Sequence, residues 1–121
     1  LKDKRLPIGF RYAIAGIIYA IKNERNFRIH LLATVVVIMF SLICHLELFE
    51  WIAIIFVIGF VLVSELFNTA VELIIDYIKP EIHPVAKAIK DLAAGAVLIT
   101  SIVAVIIGLI IFLPYILQLF L

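Results

Sequence analysis

Charge is scarce in this sequence: Asp, Glu, Lys and Arg make up 16% of its 121 residues and leave a net charge of +1. A disordered chain and a nucleic-acid-binding surface both need far more, so neither reading fits. Cysteine is scarcer still. Cys44 stands alone, which excludes an intrachain disulfide and a cysteine-based zinc site, and its place in an apolar run reads as one buried thiol. The five glycines compose neither G-x-x-x-x-G-K nor G-x-G-x-x-G, so the common soluble nucleotide-binding loops are excluded. Internal repeats, low-complexity runs and Gly/Ser linkers are missing too. What fills the chain is apolar. A hydrophobic content of 66% and a mean hydropathy of +1.28 make it a membrane protein with room for one domain, residues 1–121.

The segment from Lys2 to Ile21 does not read as a secretory signal, because no small-residue cleavage site precedes the charges at Lys22, Glu24 and Arg25. Its apolar run, Tyr12 to Ile21, falls short of the roughly 20 residues that a span requires. Residues 8–23 therefore read as an amphipathic helix lying in the membrane interface, with Pro7 in its first turn. Three spans follow: residues 29–46, a second helix from Trp51 to Lys79-Pro80, and a third opened by Pro84 and apolar from Leu92 to Leu113, with Pro114 as its breaker. The fold class is thus all-α, three transmembrane helices plus the interfacial one.

Lys2, Lys4, Arg5, Arg11, Lys22, Arg25 and Arg28 precede the first span, and Lys79, Lys87 and Lys90 lie between the second and third; together they are all 10 basic residues. By the positive-inside rule the N-terminus and the 76–91 loop face the cytoplasm of a cell membrane crossed several times.

The second helix carries polar residues where lipid should surround it. Glu65, Asn68, Thr69, Glu72 and Asp76 share an arc of about 100° on a helical wheel. Glu65 lies about 21 Å along the axis from Trp51, inside a hydrocarbon core of about 30 Å. A carboxylate there costs roughly 2.5–3.5 kcal/mol and is a functional-site hypothesis by default. Asp76 alone reads equally well as an acid reaching water at a helix end. Glu72 and Asp76 are like charges at i,i+4, which calls for a cation beside them, either a metal ion or a lysine such as Lys87 or Lys90; Lys87 with Asp91 is also an ordinary i,i+4 pair. Oxygen-only donors favour Mg²⁺, which takes one or two carboxylates and completes its shell with water and phosphate oxygens. Residue chemistry by itself reaches an acidic, metal-binding site near the inner leaflet. A non-catalytic scaffold or an ion-conducting oligomer is the competing reading, since an acidic stripe in a helical bundle also lines cation paths.

The string Glu65-Leu66-Phe67-Asn68-Thr69-Ala70-Val71-Glu72, followed by Asp76, Lys90-Asp91 and Ala94-Gly95-Ala96-Val97, resembles the signature of the prokaryotic diacylglycerol kinase family. Asn23-Glu24-Arg25-Asn26-Phe27-Arg28 resembles the family's other acidic motif, so the likeness runs from about Arg5 to Leu113. His83-Pro84-Val85-Ala86-Lys87 and the Ile110 to Pro114 ending look more like the Gram-positive branch, whose members phosphorylate undecaprenol. The resemblance implies a homotrimeric kinase that transfers the ATP γ-phosphate to a lipid hydroxyl, undecaprenol first and diacylglycerol second.

It further implies Glu65 as general base and Glu24 with Glu72 as the Mg²⁺ pair that also contacts ATP. Asn68 and Asp76 support the site. Lys90, Asp91, Glu81, Ile82 and His83 correspond to nucleotide-contacting segments, and Arg5 and Tyr12 are carried over to nucleotide binding by spacing to Glu24. Three helices enclose a triphosphate, a metal and a lipid head poorly, which favours a site shared between protomers. Ala96, Thr100, Ala104 and Gly108 recur at i+4 and form either a subunit-contact ridge or an ordinary contact within the chain. His30 and His45 read as interfacial polar tips, and Trp51, Tyr77 and Tyr115 as aromatic-belt anchors.

Overall fold

The structure, a computed structural model, describes residues 7–78 and 83–121. Four helices make up nearly all of them: α1 (Pro7–Asn23), α2 (Arg25–Cys44), α3 (Leu48–Ile78) and α4 (Pro84–Phe120). The last three are long and apolar enough to cross a membrane. At 17 residues α1 reaches about 26 Å, less than a hydrocarbon core. Large apolar side chains such as Phe49, Phe56 and Phe60 are mostly exposed, the inverse of a water-soluble surface, because lipid replaces the missing protein partners.

One residue separates α1 from α2. Glu24 is extended, with φ −116 and ψ 109, and side chains close the end of α1 around it. Asn23 Nδ2 donates to the Tyr19 carbonyl at 2.9 Å, and Arg28 Nη1 donates to the carbonyls of Ile21 and Lys22 at 2.8 and 3.2 Å. Carbonyls at the end of α1 thus find donors from its own last residue and from Arg28 of the next helix. The first span therefore begins at Arg25 rather than at residue 29, since the Asn23–Arg28 segment supplies its own caps.

At the other end of α2, His45 takes the left-handed conformation with φ 56. The Leu46 amide reaches back to the Ser41 carbonyl at 3.4 Å, a Schellman-type closure that reverses the chain. The second span then opens at Leu48, ahead of Trp51, because Glu50 reaches back to accept from the Glu47 amide at 3.0 Å, as the acidic member of a capping box does. Cys44 is half-buried rather than fully enclosed and packs on the cluster of Leu46, Ile54, Ile111 and Phe112, which ties the α2–α3 turn to the late part of α4.

Pro114 lies inside α4 and does not end it; the helix runs on to Phe120. Its missing N–H forfeits one backbone bond, a loss that membrane helices tolerate where neighbours hold the segment. Here buried Phe112 anchors one side, and Tyr115 on the other donates its hydroxyl to Glu50 Oε1 at 2.6 Å.

The pair α3 and α4 packs most closely. Ser64 Oγ and Thr100 Oγ1 share a hydrogen bond of 2.9 Å between them, while Ser41 and Thr34 hydroxyls satisfy themselves on the carbonyls of Val37 and His30 one turn earlier. With no water in the hydrocarbon, such pairing is required of every hydroxyl. Thr100 meeting Ser64 turns the small-residue ridge toward α3 within the same chain.

Candidate active site

Length positions the acidic stripe. At 31 residues α3 is about 46 Å long, so its final turns extend past a core of about 30 Å while Glu65 stays within it. Glu65 and Thr69 are among the most buried residues of the chain, at 3% and 6% exposure. Asn68 and Glu72 are half-buried and Asp76 is exposed, a gradient from lipid depth to water along one helix face.

Glu65 has a partner on α2. His30 Nε2 lies 3.2 Å from Glu65 Oε2, although the contact is not aligned as a hydrogen bond and Oε2 has no hydrogen-bond donor. His30 is therefore not an interfacial polar tip. It lies in the second turn of α2, where the α1–α2 break delivers it to the depth of Glu65 on the neighbouring helix.

Around this centre, Asn68 Nδ2 donates to Glu72 Oε2 at 3.4 Å, while Asn68 Oδ1 is buried without a donor. Glu24 is half-buried at the helix break, and its carboxylate makes no cap bond to α2, so it is free to serve the site. Of the two lysines that could balance the stripe, Lys90 is the one that does. Its Nζ lies 2.6 Å from Asp76 Oδ1, linking α4's start to α3's end, and the Glu72 charge acts on it as well. Lys87 instead bonds Asp91 at 2.6 Å along α4, the ordinary i,i+4 pair. With both partners largely exposed, that pair contributes little to stability.

The remaining sequence candidates divide. His83 caps α4, its Nδ1 accepting from the Val85 amide at 3.1 Å, at the same end as Lys90 and Asp91. Tyr12 is 55% exposed on α1, about 16 Å along the axis from Asn23, and within one chain it is not brought to the acids. Arg5, Glu81 and Ile82 lie outside the described residues.

Among the described residues no group of three or more His, Cys, Asp or Glu side chains is arranged to hold a metal ion alone. The oxygen groups available are the half-buried carboxylates of Glu24 and Glu72 and the donor-less Asn68 Oδ1. Two carboxylates and an amide oxygen suit Mg²⁺, which fills the rest of its shell from water and phosphate.

Below His30 lies a cavity of about 460 Å³ between α2, α3 and α4, lined by His30, Val37, Ile54, Val61, Ala104 and Phe112 among others. Its walls are almost wholly apolar, and they include His30, the ion-pair partner of Glu65, and Val61, one turn before Glu65 on α3.

The family model for prokaryotic diacylglycerol kinase matches residues 11–112. The chain belongs to that family. Undecaprenol kinase from Bacillus subtilis is 43% identical over 105 residues, covering 87% of this chain and 85% of the relative. Diacylglycerol kinase from Synechocystis is also 43% identical, over 115 residues, 94% of this chain and 66% of the relative. Diacylglycerol kinase from Escherichia coli K12 is 30% identical over 95 residues, 78% of each. The chain is a membrane lipid kinase carrying out ATP-dependent phosphotransfer, which removes the non-catalytic scaffold and ion-conducting readings.

Proposed function

We propose that this kinase phosphorylates undecaprenol, giving undecaprenyl phosphate at the cytoplasmic leaflet of a bacterial cell membrane. The observation that carries this reading is the apolar cavity lined by His30, which lies 3.2 Å from the buried Glu65: a branched, wholly apolar tail fits such walls, with its single hydroxyl directed toward that pair. The relative named for undecaprenol is matched over most of its length. The equal identity to a relative named for diacylglycerol makes phosphatidic acid formation the second reading.

In the reaction, Glu65 accepts the proton of the lipid hydroxyl as its oxygen bonds the γ-phosphorus of ATP, and the bond to the bridging oxygen breaks to release ADP. A carboxylate acts as base here because the site is water-poor and the alcohol is held close. Glu24 and Glu72 would hold Mg²⁺, with Asn68 keeping Glu72 in place through its amide, and the ion would supply positive charge toward the phosphates. Lys90, held at the mouth of the site by Asp76, offsets charge on the transferring phosphoryl group. Asp91, His83, Glu81, Ile82, Arg5 and Tyr12 complete the nucleotide site. Tyr12 lies far from Glu24 along α1, and a homotrimer in which neighbouring protomers complete each site accounts for that separation. The exposed apolar faces of α2–α4 would serve as subunit-contact surface, and the clustering of basic residues supports a cytoplasmic N-terminus and 76–91 loop.

An acceptor panel tests the proposal. Purified protein in detergent micelles with labelled ATP labels undecaprenol faster than diacylglycerol; the reverse order would install diacylglycerol as the acceptor.

A further inference from the structure

Glu65 must ionise to act as a base, yet it is buried among apolar side chains, where a lone carboxylate holds its charge poorly. The charges around it are specific. Glu24 at the α1–α2 break and Glu72 on α3 are acids on elements beside it, and His30 from α2 is the basic side chain that reaches it among the described residues. Lys90, the cation that α4 brings to this end, is engaged by Asp76, and Arg28 by the carbonyls that close α1. His30 is 3.2 Å from the carboxylate, and its side chain keeps 25% of its surface accessible against 4% for Glu65.

We propose that His30 is a positioning residue for the phosphotransfer reaction: as an imidazolium beside Oε2 it keeps the Glu65 carboxylate charged and oriented toward the lipid hydroxyl at the end of the apolar cavity. The proposal rests on the reading of Glu65 as base. It assigns His30 no bond-making step; the proton from the acceptor still goes to Glu65. The contact spans α2 and α3, so it also fixes the carboxylate against the helix that lines the acceptor cavity.

The test uses the full-length protein in detergent micelles with undecaprenol and ATP, comparing wild type, His30→Gln, His30→Ala and Glu65→Gln across pH. Glutamine preserves polarity and approximate size but carries no charge. His30→Gln lowers kcat at neutral pH by at least tenfold and leaves KM for ATP within about twofold. The acid limb of its rate profile moves to higher pH, and alkaline buffer restores part of the rate; His30→Ala behaves the same way. Infrared spectra of His30→Gln at neutral pH show a protonated-carboxyl carbonyl band that the His30→Gln/Glu65→Gln double variant lacks. An unchanged pH profile with no such band overturns the proposal, as does an equal loss of rate at every pH, which marks mere packing. If Glu65→Gln is inactive while His30→Gln matches wild type, only the role of His30 fails; if Glu65→Gln itself turns over, the base assignment fails and His30 with it.

Discussion

Tyr115 Oη and Glu50 Oε1, 65 residues apart in sequence, are joined by a 2.6 Å hydrogen bond at the end of the bundle opposite the acidic stripe. Glu50 caps the start of α3 with the same oxygen, so one carboxylate ties the opening of α3 to α4 just beyond Pro114. Tyr115→Phe removes the α4 half of that tie and nothing else. It lowers the thermal midpoint in detergent by roughly 2–4 °C, the size of one lost hydrogen bond, and leaves kcat unchanged, measured by thermal unfolding and by lipid labelling.

In the proposed reaction Glu24 and Glu72 each contribute one carboxylate to Mg²⁺. Glu72→Gln or Glu24→Gln therefore raises the Mg²⁺ concentration for half-maximal activity by about tenfold or more. Activity titrated against Mg²⁺ at saturating ATP checks this, and an unchanged requirement removes the substituted residue from the metal shell.

Lys90 and Asp76 have unequal roles despite their mutual contact. On the proposed role of Lys90 toward phosphate, Lys90→Met lowers kcat/KM for ATP by roughly 10²-fold, on the order of 3 kcal/mol of transition-state stabilisation. Asp76→Asn only frees the lysine and changes kcat/KM by less than about tenfold. Steady-state kinetics on both variants separate them, and equal losses would make Asp76 a direct participant.

Much of this was legible in the sequence because lipid imposes simple rules. Apolar length marks the three spans, and polar residues on one face of α3 mark the candidate site at Glu65, Asn68, Glu72 and Asp76. Like charges at Glu72 and Asp76 called for a cation, and Lys90 supplies it. Contacts between helices were not legible. His30 was one polar residue near the end of an apolar run, and nothing in α2 says which residue of α3 it meets; its depth, matched to that of Glu65, was the one usable signal. Tyr115 likewise read as a belt anchor, since its bond to Glu50 depends on α4 continuing through Pro114. That continuation rests on Phe112 and Tyr115 holding the helix on both sides, a tertiary effect that local propensity cannot express.

The central claim is that the Glu65 carboxylate takes the acceptor's proton. The most direct measurement is kcat of Glu65→Gln, an almost isosteric change, with undecaprenol and ATP in micelles, on protein whose helicity and elution volume match wild type. A loss of roughly 10²–10⁴-fold with the Mg²⁺ requirement of any residual activity unaltered is the predicted result, whereas turnover within a few-fold of wild type would contradict the account.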